Sequence, residues 1–245
     1  MKHKQNLSKM LNLSWTKLTN TTPATGQWDL PMLSCNTSII PTFLALYGEP
    51  GHYQENGSLT GVCFYSYDAE FDGVHGLYEA IYHDDQRQLE YYQRRFAGVK
   101  IFISPDYSQF GDIHNIENVY RLFKAAIVSL WLTNELHAVV IPSITGASEN
   151  ILQLLLASLH NCSVVAFSTK GHMNSSTERE RLARMIRITV DTLELNSIVV
   201  YDCCGDNEQV LDVFSYAVRQ GIHVLIPDNT LKRRNRQRKD TNERL

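Results

Sequence analysis

A chain of 245 residues, 43% hydrophobic and 20% charged, is long enough to bury a sizeable core and reads as one α/β domain. Its formal net charge of -3 hides an asymmetry: residues 1–231 hold 16 Lys and Arg against 24 Asp and Glu, a body at -8, and residues 232–239 add six positive charges. No run of about 18 apolar residues occurs, which excludes a membrane-spanning helix, and the basic N-terminus lacks the apolar stretch of a secretory signal.

In chain order, residues 1–35 are rich in Asn, Thr, Ser and Lys and are expected to form a partly ordered N-terminal arm. A single α/β domain is expected over 36–230. Its first apolar segment, Ile39 to Leu46, is either a strand or an entry segment, and Pro41 suits an edge. Gly61-Val62-Cys63-Phe64-Tyr65 reads as a strand, followed by a helix over about 74–96.

From there a punctuation repeats: a short apolar strand, one or two small polar or acidic residues, then a helical stretch. Val99 to Ile103 runs into Ser104-Pro105-Asp106-Tyr107-Ser108; Ala138 to Ile141 into Pro142-Ser143-Ile144-Thr145; Val164 to Phe167 into Ser168-Thr169-Lys170-Gly171. Ile198 to Tyr201 then enters Asp202-Cys203, and Val224 to Ile226 enters Pro227-Asp228. Helices are predicted over about 115–136, 148–160, 176–195 and 206–220, the last stopped by Gly221. Continuous apolar strands separated by helices predict a mainly parallel sheet of repeated βα units covered on both faces, read as an incomplete or irregular TIM-type barrel, with an open doubly wound sheet as the alternative. Residues 231–245 read as a basic, disordered tail.

Parallel α/β folds carry their sites at the carboxyl ends of the strands. Asp68, with Glu70 and Asp72 behind it, Asp106, Asp202 and Asp228 fall there, and such carboxylates position a divalent metal or serve as acid and base. Asp106 and Asp68 are the catalytic candidates. Ser104, Tyr107, Ser108, Ser143, Ser168, Thr169 and Lys170 are the ligand-binding candidates, Lys170 as the cation for a phosphate. The same residue types also cap helices, and that reading stands beside the catalytic one, above all for Asp202 and Asp228.

Other patterns point away from common chemistries. Cys203 is a nucleophile candidate without a His positioned to pair with it, and a small buried thiol is the plainer reading. The nine histidines show no zinc spacing, and no Walker-type loop occurs. The five cysteines are an odd set without Cys-x-x-Cys spacing, which suits reduced thiols in a cytoplasmic protein.

The ordered series Phe64 to Asp72, Ile103-Ser104-Pro105-Asp106-Tyr107-Ser108, Val140 to Ser143, Val165 to Gly171 and Val199 to Tyr201 resembles a family of bacterial, phage and plasmid proteins catalogued as domain of unknown function 4417. The similarity covers about residues 35–228, and Ser-Pro-Asp-Tyr-Ser, followed by Ile-Pro and Ser-Thr-x-Gly, is its most specific piece. The resemblance implies an α/β domain common on mobile elements and brings no established activity. This chain departs from the family pattern where Ile141 to Gly146 lacks a Trp soon after the Pro, and where Asp202 replaces a common Gly.

Two functions are consistent with these features. One is an enzyme taking a phosphate-bearing or nucleotide-like ligand at the strand ends. The other is a noncatalytic accessory protein that holds nonspecific nucleic acid through Lys232, Arg233, Arg234, Arg236, Arg238 and Lys239 and a protein partner through its core.

Overall fold

The structure, a computed structural model, describes residues 18–19, 22–54 and 59–242. It is mixed α/β, with mainly parallel sheets and alternating βα units. Of the N-terminal arm, residues 1–17 lie outside the described residues, while β1 (Ala24–Thr25) and β2 (Leu30–Pro31) pair antiparallel. β3 (Leu33–Cys35) pairs in parallel with β8 (Leu159–Cys162) beside the main sheets.

The main strands fall into two parallel groups. β4 (Phe43–Leu46), β5 (Thr60–Cys63), β6 (Ile101–Ile103) and β7 (Val139–Ile141) lie in that order, and β9 (Val164–Ser168), β10 (Ser197–Tyr201) and β11 (His223–Leu225) form the second group. Single parallel bridges join the groups at both seams. At one, Ser143 faces Ala166, with the Ala166 amide donating to Pro142 at 2.8 Å; at the other, Phe43 faces Asp228, with the Leu44 amide donating to Asp228 at 2.8 Å. Backbone hydrogen bonds therefore run in a circuit from β4 through β7, β9 and β11 back to β4. All seven strands point the same way, so their carboxyl ends gather on one rim.

The continuous apolar runs explain this layering. Neighbouring residues of a strand point to opposite faces, and both faces are dry: Leu44, Cys63, Ile101, Ile103 and Ile141 enter one core, while Phe43, Ala45, Val62, Phe102 and Val140 enter the other. The second core lies under α2 (Leu77–His83), α3 (Gln86–Arg95) and α4 (Asn115–Leu136). Burying one Phe such as Phe102 contributes about 2–3 kcal/mol.

Local chemistry moves several helix boundaries away from the sequence expectation. After a short turn α1 (Asp68–Phe71), the helix expected over 74–96 is two, because Asp84 adopts φ 55° and Asp85 caps α3 by accepting from the Gln88 amide at 3.1 Å. α5 (Glu149–Ala157) stops short because residues 159–162 leave it for β8. α6 (Ser176–Thr192) starts on Ser175, and α7 (Asn207–Val213) on Asp206, whose side chain accepts from two amides. α8 (Ser215–Arg219) ends before Gly221, which supplies φ 79°. The segment expected as a disordered tail is α9 (Thr230–Asn242).

Candidate functional site

Each rim loop begins where a strand's ladder ends. Ser104 continues the β6 ladder, its amide donating to Ile141 at 2.9 Å, and its Oγ accepts from the Ser143 amide at 2.8 Å. Ser143 Oγ in turn lies 3.0 Å from the Tyr65 hydroxyl. Ser104, Ser143 and Tyr65, the last absent from the sequence candidates, thus form one buried chain across three strand ends, through the Ser143 amide on one side and the Ser143 hydroxyl on the other.

Asp106 stands next to this chain, half-buried. Burial pushes its carboxyl up to about 7; the Thr145 hydroxyl and Lys170 pull the other way, and Asp68 adds to the rise. Asp68, Thr145 and Lys170 come from the ends of three different strands and act on the Asp106 carboxyl at the end of a fourth. Thr145 was not among the sequence candidates, although its strand-end position was the available signal.

The pH dependence follows with a definite sign. A carboxyl whose folded value lies above its unfolded value of about 3.9 holds its proton more tightly in the folded state. Its stabilising effect is fully present below about pH 4 and is lost as pH rises through about 7. Asp106→Asn removes this titration. Its stability relative to wild type should therefore grow between those limits, by on the order of 2 kcal/mol after allowance for partial exposure; urea denaturation at a series of pH values would show no such trend if Asp106 titrates normally.

Asp68 has a different role. Its carboxylate accepts from the Ser108 amide at 3.0 Å, from Ser108 Oγ at 2.9 Å and from Arg121 at 2.9 Å. Asn118 fixes the next turn, exchanging two hydrogen bonds with the Phe110 backbone. Asp68 and Ser108 therefore shape the loop that presents Asp106. Tyr107 is buried in an aromatic cluster, 5.2 Å from the Phe71 ring and under the Lys124 ammonium, which makes it a packing residue.

At the end of β9, the Lys170 ammonium donates to the Tyr65 carbonyl at 2.9 Å and lies 5.3 Å from the ring of Tyr67, itself 76% exposed. Ser168 Oγ accepts from the Lys170 amide, closing the local turn. Thr169 is buried, its hydroxyl accepting from the Cys203 amide at 3.0 Å. Lys170, Thr169, Cys203, Cys204 and Asn235 line an open cleft of about 470 Å³. Ser104, Tyr107, Ser143 and Thr145 instead line a separate cavity of about 20 Å³, room for a single water.

Asp202, Asp228 and Cys203 take the structural readings that the sequence favoured over the catalytic ones. Among the described residues, no three of His, Cys, Asp and Glu gather in a group that would hold a metal ion, because the strand-end carboxylates are engaged by their own chain. Asp202 is fully buried, accepting from the Cys204 and Gly205 amides at 2.7 and 3.1 Å, and Asp228 pairs with Arg233 at 2.6 Å. Burial pushes the Cys203 thiol up to about 12, with Asp202 adding to it, so it stays protonated at neutral pH.

The basic segment also differs from the expected solvated run. Lys232 is 2% exposed, Arg233 lies over the Phe43 ring while paired with Asp228, and Arg236 donates to Gly205 and Asn207. Arg234 is exposed, and the side chains of Arg238 and Lys239 lie outside the described residues. Among the described residues, no helix is long and apolar enough to cross a membrane.

A protein family described as a domain of unknown function (DUF4417) matches residues 22–217. No curated protein and no solved structure matches the chain.

Proposed function

We propose, for a chain that belongs to the DUF4417 family, that the strand rim binds a small phosphate-bearing or nucleotide-like ligand in the cleft beside Lys170. The observation that supports this best is a contrast among the rim cations. Arg121 pairs with Asp68, Lys124 with Asp72, Lys232 faces Asp202 and Arg233 pairs with Asp228. Lys170 forms no ion pair among the described residues, being only within electrostatic reach of the Asp106 carboxyl, and its ammonium has a single hydrogen-bond acceptor for three donors. A cation left in this state at the edge of an open cleft suits an anionic group of a ligand.

Asp106 supplies the proton chemistry in this reading. A carboxyl that titrates near neutrality exchanges a proton at operating pH, the property wanted of a general acid or base. The ligand-binding role of Ser104, Ser143 and Thr169 becomes indirect: they hold the backbone that carries Asp106, Lys170 and Cys203. An origin on phage or plasmid and a cytoplasmic setting for five cysteines free of disulfides belong to the same proposal.

The nucleic-acid alternative has less support, because Lys232, Arg233 and Arg236 are engaged by their own fold. A thermal-shift titration with AMP tests the preferred reading. A ligand that binds only the folded state at about a hundred times its Kd adds about 2.7 kcal/mol. Wild type is expected to gain melting temperature with AMP, and Lys170→Ala to lose roughly tenfold to a hundredfold in affinity, the worth of a charge-assisted hydrogen bond. An AMP shift unaltered in Lys170→Ala would remove the proposal.

A further inference from the structure

Where α2, α3 and the carboxyl end of α4 meet, a groove of about 180 Å³ is apolar at its floor and acidic around it. Ile81, Leu89 and Trp131, all buried in the second core, make the floor. Asp84, Glu90 and Glu135 stand around it, and no lysine, arginine or histidine lines it among the described residues. Glu90 and Glu135 are exposed. Arg94 lies 3.7 Å from Glu90, and Glu135 has no ion pair among the described residues.

The chain itself reaches this groove. Leu18 lines it together with residues of the three helices and packs against the second core. Leu18 and Thr19 are helical, and the Leu18 carbonyl accepts from Thr22 Oγ1 at 2.8 Å, which fixes the point from which residues 1–17 lead away. Those residues lie outside the described ones, but their sequence complements the groove in two respects. They hold Lys2, Lys4, Lys9 and Lys17 and no Asp or Glu. Counting back from Leu18 by 3, 7, 8 and 11 residues gives Trp15, Leu11, Met10 and Leu7, the spacing of one apolar helix face.

We infer that the groove is the docking site of residues 7–17 of this same chain, with Trp15 seated beside Leu18 on the apolar floor and the lysines facing Asp84, Glu90 and Glu135. A second copy presents the same segment, but the tether decides between them. Leu18 already sits in the groove, so Trp15 meets it at the high effective concentration of a very short linker, and the chain's own segment outcompetes that of another molecule. Most of the affinity comes from the Trp15 ring, which buries a large apolar surface, while each exposed ion pair adds little. The acidic surround selects a basic segment and sets its orientation. This docking needs no ligand at the Lys170 cleft.

The test is hydrogen–deuterium exchange of the full chain, read over residues 7–17 at a low and a high protein concentration. Wild type is expected to exchange there roughly tenfold more slowly than Trp15→Ala, at a rate independent of concentration. Glu90→Lys/Glu135→Lys, at two exposed positions, is expected to speed that exchange severalfold, and adding Lys9→Glu/Lys17→Glu to slow it again. Exchange of the strands β4 to β7 is expected to stay as in wild type throughout, which separates undocking from unfolding. Equal rates over residues 7–17 in wild type and Trp15→Ala would mean that nothing is docked, and overturn the inference. Protection that the groove reversal leaves untouched would place the segment elsewhere and overturn it too. Protection that grows with concentration would assign the groove to a second copy, against the intrachain docking inferred here.

Discussion

Asp202→Ala is expected to destabilise the protein by about 3–5 kcal/mol, a large share of the 5–15 kcal/mol typical of a folded domain. Asp202 is 0% exposed and Lys232, whose ammonium lies 4.0 Å from it, is 2% exposed. Burial lowers the affinity of Lys232 for its proton, and Asp202 counters that effect. Alanine would leave an uncompensated ammonium in the interior, and would free the Cys204 and Gly205 amides and the Thr169 hydroxyl at the same time. The loss reaches α9 through Lys232, while the Asn229 bridge, which donates to the Asp202 backbone carbonyl at 2.9 Å and accepts from the Lys232 amide at 2.8 Å, is kept in the alanine variant.

The double variant Asp202→Ala/Lys232→Met should recover part of this loss, because it removes the stranded charge together with its partner. Urea denaturation of the two single variants and the double variant measures the coupling. A loss under about 1 kcal/mol in Asp202→Ala, or strict additivity in the double variant, would mean that the pair is solvated.

The second large effect is expected at Lys124, a lysine on α4 that is buried beneath the β6 loop. Its ammonium pairs with Asp72 and lies 4.7 Å from the Tyr107 ring centroid, 4.9 Å from Tyr78 and 5.9 Å from Tyr120. Lys124→Ala removes the counter-charge of a carboxylate that is only 17% exposed and empties the space among three rings. One oxygen of that carboxylate, Asp72 Oδ1, already lacks a partner among the described residues. A loss of about 3–4 kcal/mol follows, from the stranded charge and the lost cation–π contacts together. Lys124→Met keeps the aliphatic stem and fills the cage, so its loss should be about half as large. Equal losses in the two variants, read by guanidinium denaturation, would assign the effect to charge alone.

The two interactions behind these expectations also mark where sequence reading stopped. The parallel strands were legible because their runs of Ile, Val and Phe lack polar alternation, and the rim was legible because small polar residues follow each run. Lys124 with Asp72 and Lys232 with Asp202 were not. They join positions 52 and 30 residues apart, and no local pattern pairs them. The basic run at 232–239 was read as charge in solvent, whereas Arg236 and Asn235 use side-chain donors to hold the Gly205 and Cys203 carbonyls and dock the helix.

Site residues divide in the same way. Asp106 and Lys170 were identifiable by residue type at a strand end. Asp68 was identifiable too, but Arg121, which lies far along the chain and fixes its role, carried no signal. β8 was missed because Leu159-His160-Asn161-Cys162 buries only its two ends, a pattern too short to separate from the close of the preceding helix. The Tyr201 hydroxyl, buried with no hydrogen-bond partner among the described residues, is a further limit: whether a phenol is satisfied depends on neighbours from several strands.

The most direct measurement is equilibrium binding of AMP to wild type and to Lys170→Ala by calorimetric titration, repeated in the presence of inorganic phosphate. Binding by wild type that inorganic phosphate competes away, and that Lys170→Ala weakens by tenfold or more, is the predicted result. Binding that is indifferent to both inorganic phosphate and Lys170, or no binding by wild type, would contradict an anion-binding rim.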